Sequence, residues 1–303
     1  MKRRQFISRS LAGSALASLG GLSLSGCSVQ NERHLTVLHT NDVHSHIDPF
    51  PANHRDFPNL GGVARRASLI HKIRKENPNT LLLDAGDIFQ GTPYFNFYGG
   101  ELEFNLMNKL NYDAATLGNH DFDNGLEGLL AQLPNANFKI LSANYDFSNT
   151  IMDGFVEPYK IFAIDGLKIG VFGLGIKLQG LVTRQLYQET KYLNPIEIAQ
   201  DMSVLLKQKE HCDLVICLSH LGYGYENKQR PSDLQLAKKT ENIDLIIGGH
   251  THTFLDRPII KENRKGKPVL VNQVGCFGIN LGRIDFYFDA DNNLNSNGVS
   301  ITV

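Results

Sequence analysis

The sequence has 303 residues, 42% of them hydrophobic, and 30 basic against 31 acidic side chains. That length and apolar content suit one large α/β domain or two small ones, with a sizeable core. A net charge of −1 offers no general basic face for a nucleic-acid polymer, and four scattered cysteines are too few for a disulfide framework or a zinc knuckle.

The first 27 residues read as a targeting segment rather than as fold. Lys2, Arg3, Arg4, Gln5, Phe6 and Ile7 place paired arginines before an apolar pair, like a twin-arginine export signal. Residues 11–24 are rich in Gly, Ala, Ser and Leu, and are short and weakly apolar for a membrane span. Leu24-Ser25-Gly26-Cys27 then has the order of a lipobox, with Cys27 as the lipidation site. The plainer alternative is a disordered basic start with a chance cysteine; three features in the right order argue against it. The expectation is an exported lipoprotein anchored on the periplasmic side, and Ser28 leans toward the outer membrane by analogy. Residues 28–34 read as a polar tether and 35–303 as the folded domain.

A strand is expected at 35–39, where Leu35, Val37 and Leu38 alternate. Residues 47–60 form a loop. Ala64, Ala67, Leu69, Ile70 and Ile73 give a helical stripe over 63–76. Short apolar strands follow at 80–83, 114–117 and 140–143, with helices over 102–110 and 126–133 between them. Asp165-Gly166 marks a hairpin between strands at 159–164 and 167–172. Pro195 opens a helix over 195–209. Buried strands are expected at 214–218 and 243–247, flanking a helix over 233–240. The remainder is β-rich, at 269–274, 282–288 and 299–303. The order of strands and helices predicts an α/β sheet with its site just past the strand ends.

Five polar clusters sit at those ends: Asp42-x-His44, Gly86-Asp87, Gly118-Asn119-His120-Asp121, Ser219-His220, and Gly248-Gly249-His250-Thr251-His252. In extended backbone, residues 42 and 44 would point to one side. The donors are nitrogen and hard oxygen without thiolate, which suits Mn, Fe, Zn or Co. Each cluster alone has a plain reading. Asp42 and His44 could belong to a helix-capping loop, Asp87 to a turn, His220 to the core, and His250 and His252 to an ordinary loop. Jointly these readings must all fail at once. His39 reads as structural, His46 as second to the site or on its rim, and His34, His54, His71 and His211 as surface. Cys212, Cys217 and Cys276 read as packing residues, with a disulfide left open by an oxidising periplasm. Tyr94, Phe95, Phe97 and Tyr98 read as core packing under a loop, or alternatively as a wall for a leaving group.

In these clusters and their order, the chain from about residue 35 to 284 resembles the calcineurin-like metallophosphoesterases, and more closely the catalytic domain of the 5′-nucleotidase and UDP-sugar hydrolase family. The resemblance implies a four-layered α/β/β/α sandwich of two mixed sheets flanked by helices, with two divalent metal ions. It implies that Asp42, His44 and His252 bind the first ion, that Asn119, His220 and His250 bind the second, and that Asp87 bridges them. His252 stands where several 5′-nucleotidases have Gln or Asn. The resemblance also implies that His120, paired with Asp123, works with Asn119 on the substrate phosphate, while a metal-activated hydroxide attacks it. The family's second, base-stacking domain is not expected within 303 residues. A nucleotide is the first expected substrate. A cyclic-nucleotide or UDP-sugar phosphodiesterase, and a catalytically silent metal- or ligand-binding lipoprotein, are the alternatives.

Overall fold

The apolar runs of the chain assemble into two six-stranded mixed sheets packed face to face, in a computed structural model that describes residues 32–227, 229–291 and 293–303. The expected targeting segment, Cys27 included, and residues 28–31 lie outside the described residues. Among the described residues no helix is long and apolar enough to cross a membrane.

The first sheet is built from β1 (Arg33–Thr40), β2 (Thr80–Asp84), β3 (Ala114–Thr116), β4 (Lys139–Leu141), β13 (Asn280–Phe288) and β14 (Leu294–Thr302), in the order β14-β13-β1-β2-β3-β4. β1 to β4 run parallel, while β13 lies antiparallel to β1, with Thr36 opposite Asp285. The second sheet contains β6 (Tyr159–Ile164), β7 (Leu167–Leu174), β9 (Leu214–Ser219), β10 (Leu245–Gly248), β11 (Ile259–Glu262) and β12 (Pro268–Asn272), in the order β11-β12-β10-β9-β7-β6. Its four inner strands are parallel and its edges antiparallel. A small ribbon pairs β5 (Tyr145–Asp146) with β8 (Lys191–Tyr192).

Strand alternation explains the layering. Leu35, Val37, Leu81 and Leu83 meet Ile169, Val171, Ile216, Leu218 and Ile247 in a dry layer between the sheets. Leu38, Leu82 and Ile140 face the other way, onto α1 (Val63–Glu76), α3 (Glu101–Leu110) and α4 (Gly125–Gln132). Phe172, Val215, Cys217 and Ile246 face α6 (Pro195–Val204) and α7 (Asp233–Lys239). Two outer helical layers and two sheets make the expected four-layered sandwich.

Several expectations change in detail. α2 (Pro93–Tyr98) and α5 (Arg184–Tyr187) are short helices, and β5, β8 and β11 short strands, that periodicity did not reveal. In α2 only Phe95 is buried, while Phe97 is 81% exposed, so the four aromatics are not a packed core cluster. The helix expected over 195–209 is α-helical only to Val204; residues Leu205–Lys209 form a π-helical end. The buried face of α1 is Arg66, Ile70 and Ile73, and Ala64 is exposed. The Asp165-Gly166 turn has φ of 51° and 74°, as a tight hairpin between twisted strands requires. Cys212, Cys217 and Cys276 are free and buried.

Candidate metal centre

All five clusters converge at the seam between the sheets. Asp42 and His44 follow β1, Asp87 follows β2, and Asn119 and His120 follow β3, all from the first sheet. His220 follows β9, and His250 and His252 follow β10, from the second. The backbone at these positions is unusual. Asp42, His44, Asp87, His250 and His252 have φ of 50°, 51°, 53°, 72° and 49°. The extended geometry assumed for Asp42 and His44 is therefore wrong: two left-handed residues, not an extended strand, aim the pair inward. Asp and His tolerate this region better than bulky residues, and such strain gathers at functional sites.

Two groups of donors result. One ligand atom each from Asp42, His44 and His252 lies within 4.8 Å of the others, and the same holds for Asp87, His220 and His250. In the first group His44 Nε2 is 3.0 Å from His252 Nε2, and His252 Nε2 is 3.4 Å from Asp42 Oδ1. In the second, His220 Nε2 is 3.0 Å from Asp87 Oδ2, yet it has no aligned hydrogen-bond partner. His250 Nδ1 lies 2.8 Å from Asn119 Oδ1, which brings Asn119 to the same group. His44 Nε2 is also 3.8 Å from Asp87 Oδ2, so the two groups adjoin at Asp87.

The donors are oriented from behind. His44 Nδ1 donates to the Gln90 carbonyl at 3.0 Å, and His220 Nδ1 to the Ala85 carbonyl at 2.7 Å. Each bond fixes the tautomer that turns the Nε2 lone pair toward the cluster, the usual support of a metal-binding histidine. Facing lone pairs, a buried unaligned His220 Nε2 and backbone-anchored rings form a set that a divalent cation fits. Without an ion, burial opposes charge on both Asp87 and His220. Their mutual attraction nevertheless holds the Asp87 carboxyl well below its usual range and pushes His220 up to about 10. Burial and the neighbouring His220 hold His250 down at about 4, and burial also lowers His44. A bound cation would displace the His220 proton.

Glycine is required twice by close approach. A Cβ on Gly118 would lie 2.2 Å from Asp87 Oδ1, and one on Gly249 would lie 2.7 Å from His220 Nδ1. An open cleft of about 440 Å³ covers both groups, and His46, Gln90, His120 and Phe277 also line it. His120 Nδ1 is 2.8 Å from Asp123 Oδ2, and that hydrogen bond raises the imidazole above its usual pKa. His39 is fully buried, with Nε2 2.9 Å from Asn272 Nδ2, and His71 and His211 are exposed. His34 is more than a surface residue, since it bonds Asp285 at 2.9 Å.

Sequence reasoning missed the residues that hold the ligand loops. Asn41 Nδ2 donates to Asp42 Oδ2 and to the Gly275 carbonyl, both at 2.6 Å. The Asp121 carboxylate accepts from the backbone N–H groups of Asp87, Ile88, Phe89 and Gly118. Gln273 donates to the Gly249 carbonyl at 2.7 Å. Asp121 lies inside a recognised cluster and Asn41 beside one, which was their only signal; besides their near neighbours Asp42 and Gly118, the groups they hold are distant in sequence.

A family model described as calcineurin-like phosphoesterase matches residues 35–254. The trifunctional nucleotide phosphoesterase protein YfkN of Bacillus subtilis (strain 168) is 35% identical over 287 residues, which are 84% of this chain and 18% of that protein. Snake venom 5′-nucleotidase of Crotalus adamanteus is 36% identical over 280 residues, 86% of this chain and 46% of that one. The crystal structure of a 5′-nucleotidase precursor from Thermus thermophilus matches with a TM-score of 0.81 at 34% identity, over 89% of this chain and 55% of that chain. The chain spans about half the length of the venom and Thermus relatives and less of YfkN. With its two groups of candidate metal donors at the strand ends, the chain belongs to the calcineurin-like phosphoesterase family.

Proposed function

We propose that the chain is a two-metal phosphohydrolase acting on a nucleotide, most simply a nucleoside 5′-phosphate. The observation that carries this reading is the pair of adjoining donor groups with the His120–Asp123 pair beside them. Asp42, His44 and His252 would hold one ion, Asn119, His220 and His250 the other, with Asp87 between them. The donor set suits Mn, Fe, Zn or Co. When bound, such ions supply Lewis acidity and a water acidified toward neutrality. The Asn119 amide and the His120 imidazolium neutralise charge that develops on the phosphoryl oxygens. Asp123 keeps the proton on His120 Nδ1, which leaves Nε2–H free to serve the phosphate or the leaving group.

The names of the relatives support a nucleotide substrate, and a phosphodiester is the second choice. We also infer export and lipid anchoring at Cys27. The ordered signal features of residues 1–27 support this, and relatives named as a precursor and as a venom enzyme are in keeping with export.

The test is product release by the full chain with Mn²⁺ from AMP, UDP-glucose, a cyclic nucleotide and an aryl phosphodiester. Preference for AMP supports the reading, and preference for a diester replaces it with the phosphodiesterase. No turnover with Mn²⁺ bound would leave a catalytically silent metal-binding lipoprotein.

A further inference from the structure

Behind the loop that carries His44 lies a small cavity of about 30 Å³. Its polar lining is Ser45, His46, Arg66 of α1, Asp84, Glu103 of α3, and Tyr112. Arg66 and Glu103 are each only 5% exposed. Neither carboxylate oxygen of Glu103, neither Nε nor Nη1 of Arg66, and not the hydroxyl of Ser45 has a hydrogen-bond partner. The remaining groups are already engaged. Asp84 accepts from the Thr40 hydroxyl and the Gly86 N–H, and Tyr112 shares a hydrogen bond with Thr40.

A buried guanidinium and a buried carboxylate without partners would each be strongly destabilising, and buried polar groups in folded proteins nearly always find partners. Arg66, Glu103 and Ser45, each with an unpartnered polar atom, line this one space together with apolar side chains such as Val63, Ile88 and Leu106. A cation entering it would meet Arg66, and an anion would meet Glu103. A neutral molecule that donates and accepts satisfies both. The volume restricts that molecule to water, since one water needs roughly 10–15 Å³ and the cavity has room for about two.

We propose that this cavity is a resident water site, in which about two ordered waters join the Arg66 guanidinium to the Glu103 carboxylate and to Ser45 Oγ. The water cluster fixes the loop around His44 against α1 and α3. Arg66 and Glu103 act as positioning residues for that loop. This last role rests on the two-metal reading; the water site does not.

Three measurements on the full chain test it. A high-resolution crystal structure is expected to show water density within hydrogen-bond distance of both Arg66 and Glu103. An empty cavity, or a direct Arg66–Glu103 pair, overturns the proposal. In a cycle of Arg66→Met, Glu103→Gln and the double variant, each single change strands the opposite charge. The melting temperature of the double variant should therefore fall by less than the sum of the singles. Strict additivity counts against the bridge. Finally, each single variant should bind Mn²⁺ roughly tenfold more weakly by calorimetry, the scale for lost support behind ligands. The α6 variant Asn194→Ala, a destabilised control, should bind it normally. Unchanged affinity in both single variants removes the positioning role. A wild type that binds no Mn²⁺ would overturn the two-metal reading, and the density and melting arms would still decide the water site.

Discussion

Removing the His120 imidazole separates binding from chemistry at the scale of one residue. His120 is held by Asp123 and is not part of either donor triad. His120→Ala should keep its full metal content and lose roughly 10²–10⁴ in turnover, the range of a general acid–base contribution. Metal analysis and steady-state kinetics on one preparation check this, and unchanged turnover would refute the role. Asp121 should behave differently. Its carboxylate gathers four backbone N–H groups from the two loops that carry Asp87 and Asn119. Asp121→Ala should lower metal content and stability together, by about 3 kcal/mol or more once several buried donors lose their shared acceptor. Chemical denaturation and metal analysis would show whether the two losses travel together. The clusters made the ligand candidates legible because residue type and order suffice to suggest them. Asn41, Asp121 and Gln273 stayed illegible because each acts on backbone atoms of segments far away in sequence.

At the scale of elements, long periodic segments were readable and short ones were not. α1 spans the residues its hydrophobic stripe predicted, although Arg66 rather than Ala64 lies on the buried face. α2 has six residues, fewer than two turns, so no period can register in it. The turn from α-helical to π-helical geometry after Val204 leaves no mark in the apolar pattern. The strand-end loops were located correctly, but their left-handed residues were not foreseen, since tertiary contacts impose them. The start of α6 was legible from Pro195 in its first turn; the cap, which was not foreseen, is the Asn194 side chain, which accepts from the Ile196 N–H at 3.1 Å. Asn194→Ala should cost about 1 kcal/mol in a urea titration, with the slope unchanged. A neutral result would show that this cap is replaced by solvent.

For the molecule as a whole, the closing strands contribute to the response to acid through Asp285. Asp285 on β13 is buried and accepts from the Thr36 hydroxyl at 2.6 Å and Arg283 Nε at 2.8 Å, while Arg283 also reaches Glu76 of α1. Burial alone would raise its pKa, but the hydrogen bonds from Thr36, Arg283 and His34 outweigh burial and hold the carboxyl below its usual value. A depressed carboxylate pKa stabilises the fold above the unfolded value of about 4 and ceases to do so as pH falls through the folded value. Asp285→Asn should therefore be less stable than wild type at neutral pH, and the gap should shrink below about pH 4. Denaturation midpoints across that range decide it, and a gap constant with pH would mean that the charge is irrelevant.

The pairing of β1 with β13 has a further consequence for how the chain reaches this state. The His34–Asp285 contact closes a separation of 251 residues, and it lies in the sheet that also supplies Asp42 and Asp87. β1 gains its antiparallel neighbour only after the second sheet has been traversed in sequence. Such distant closure raises the entropic barrier and slows folding. Refolding should thus be slow, and a nascent chain that still lacks residues 280–288 leaves one side of β1 open for mispairing.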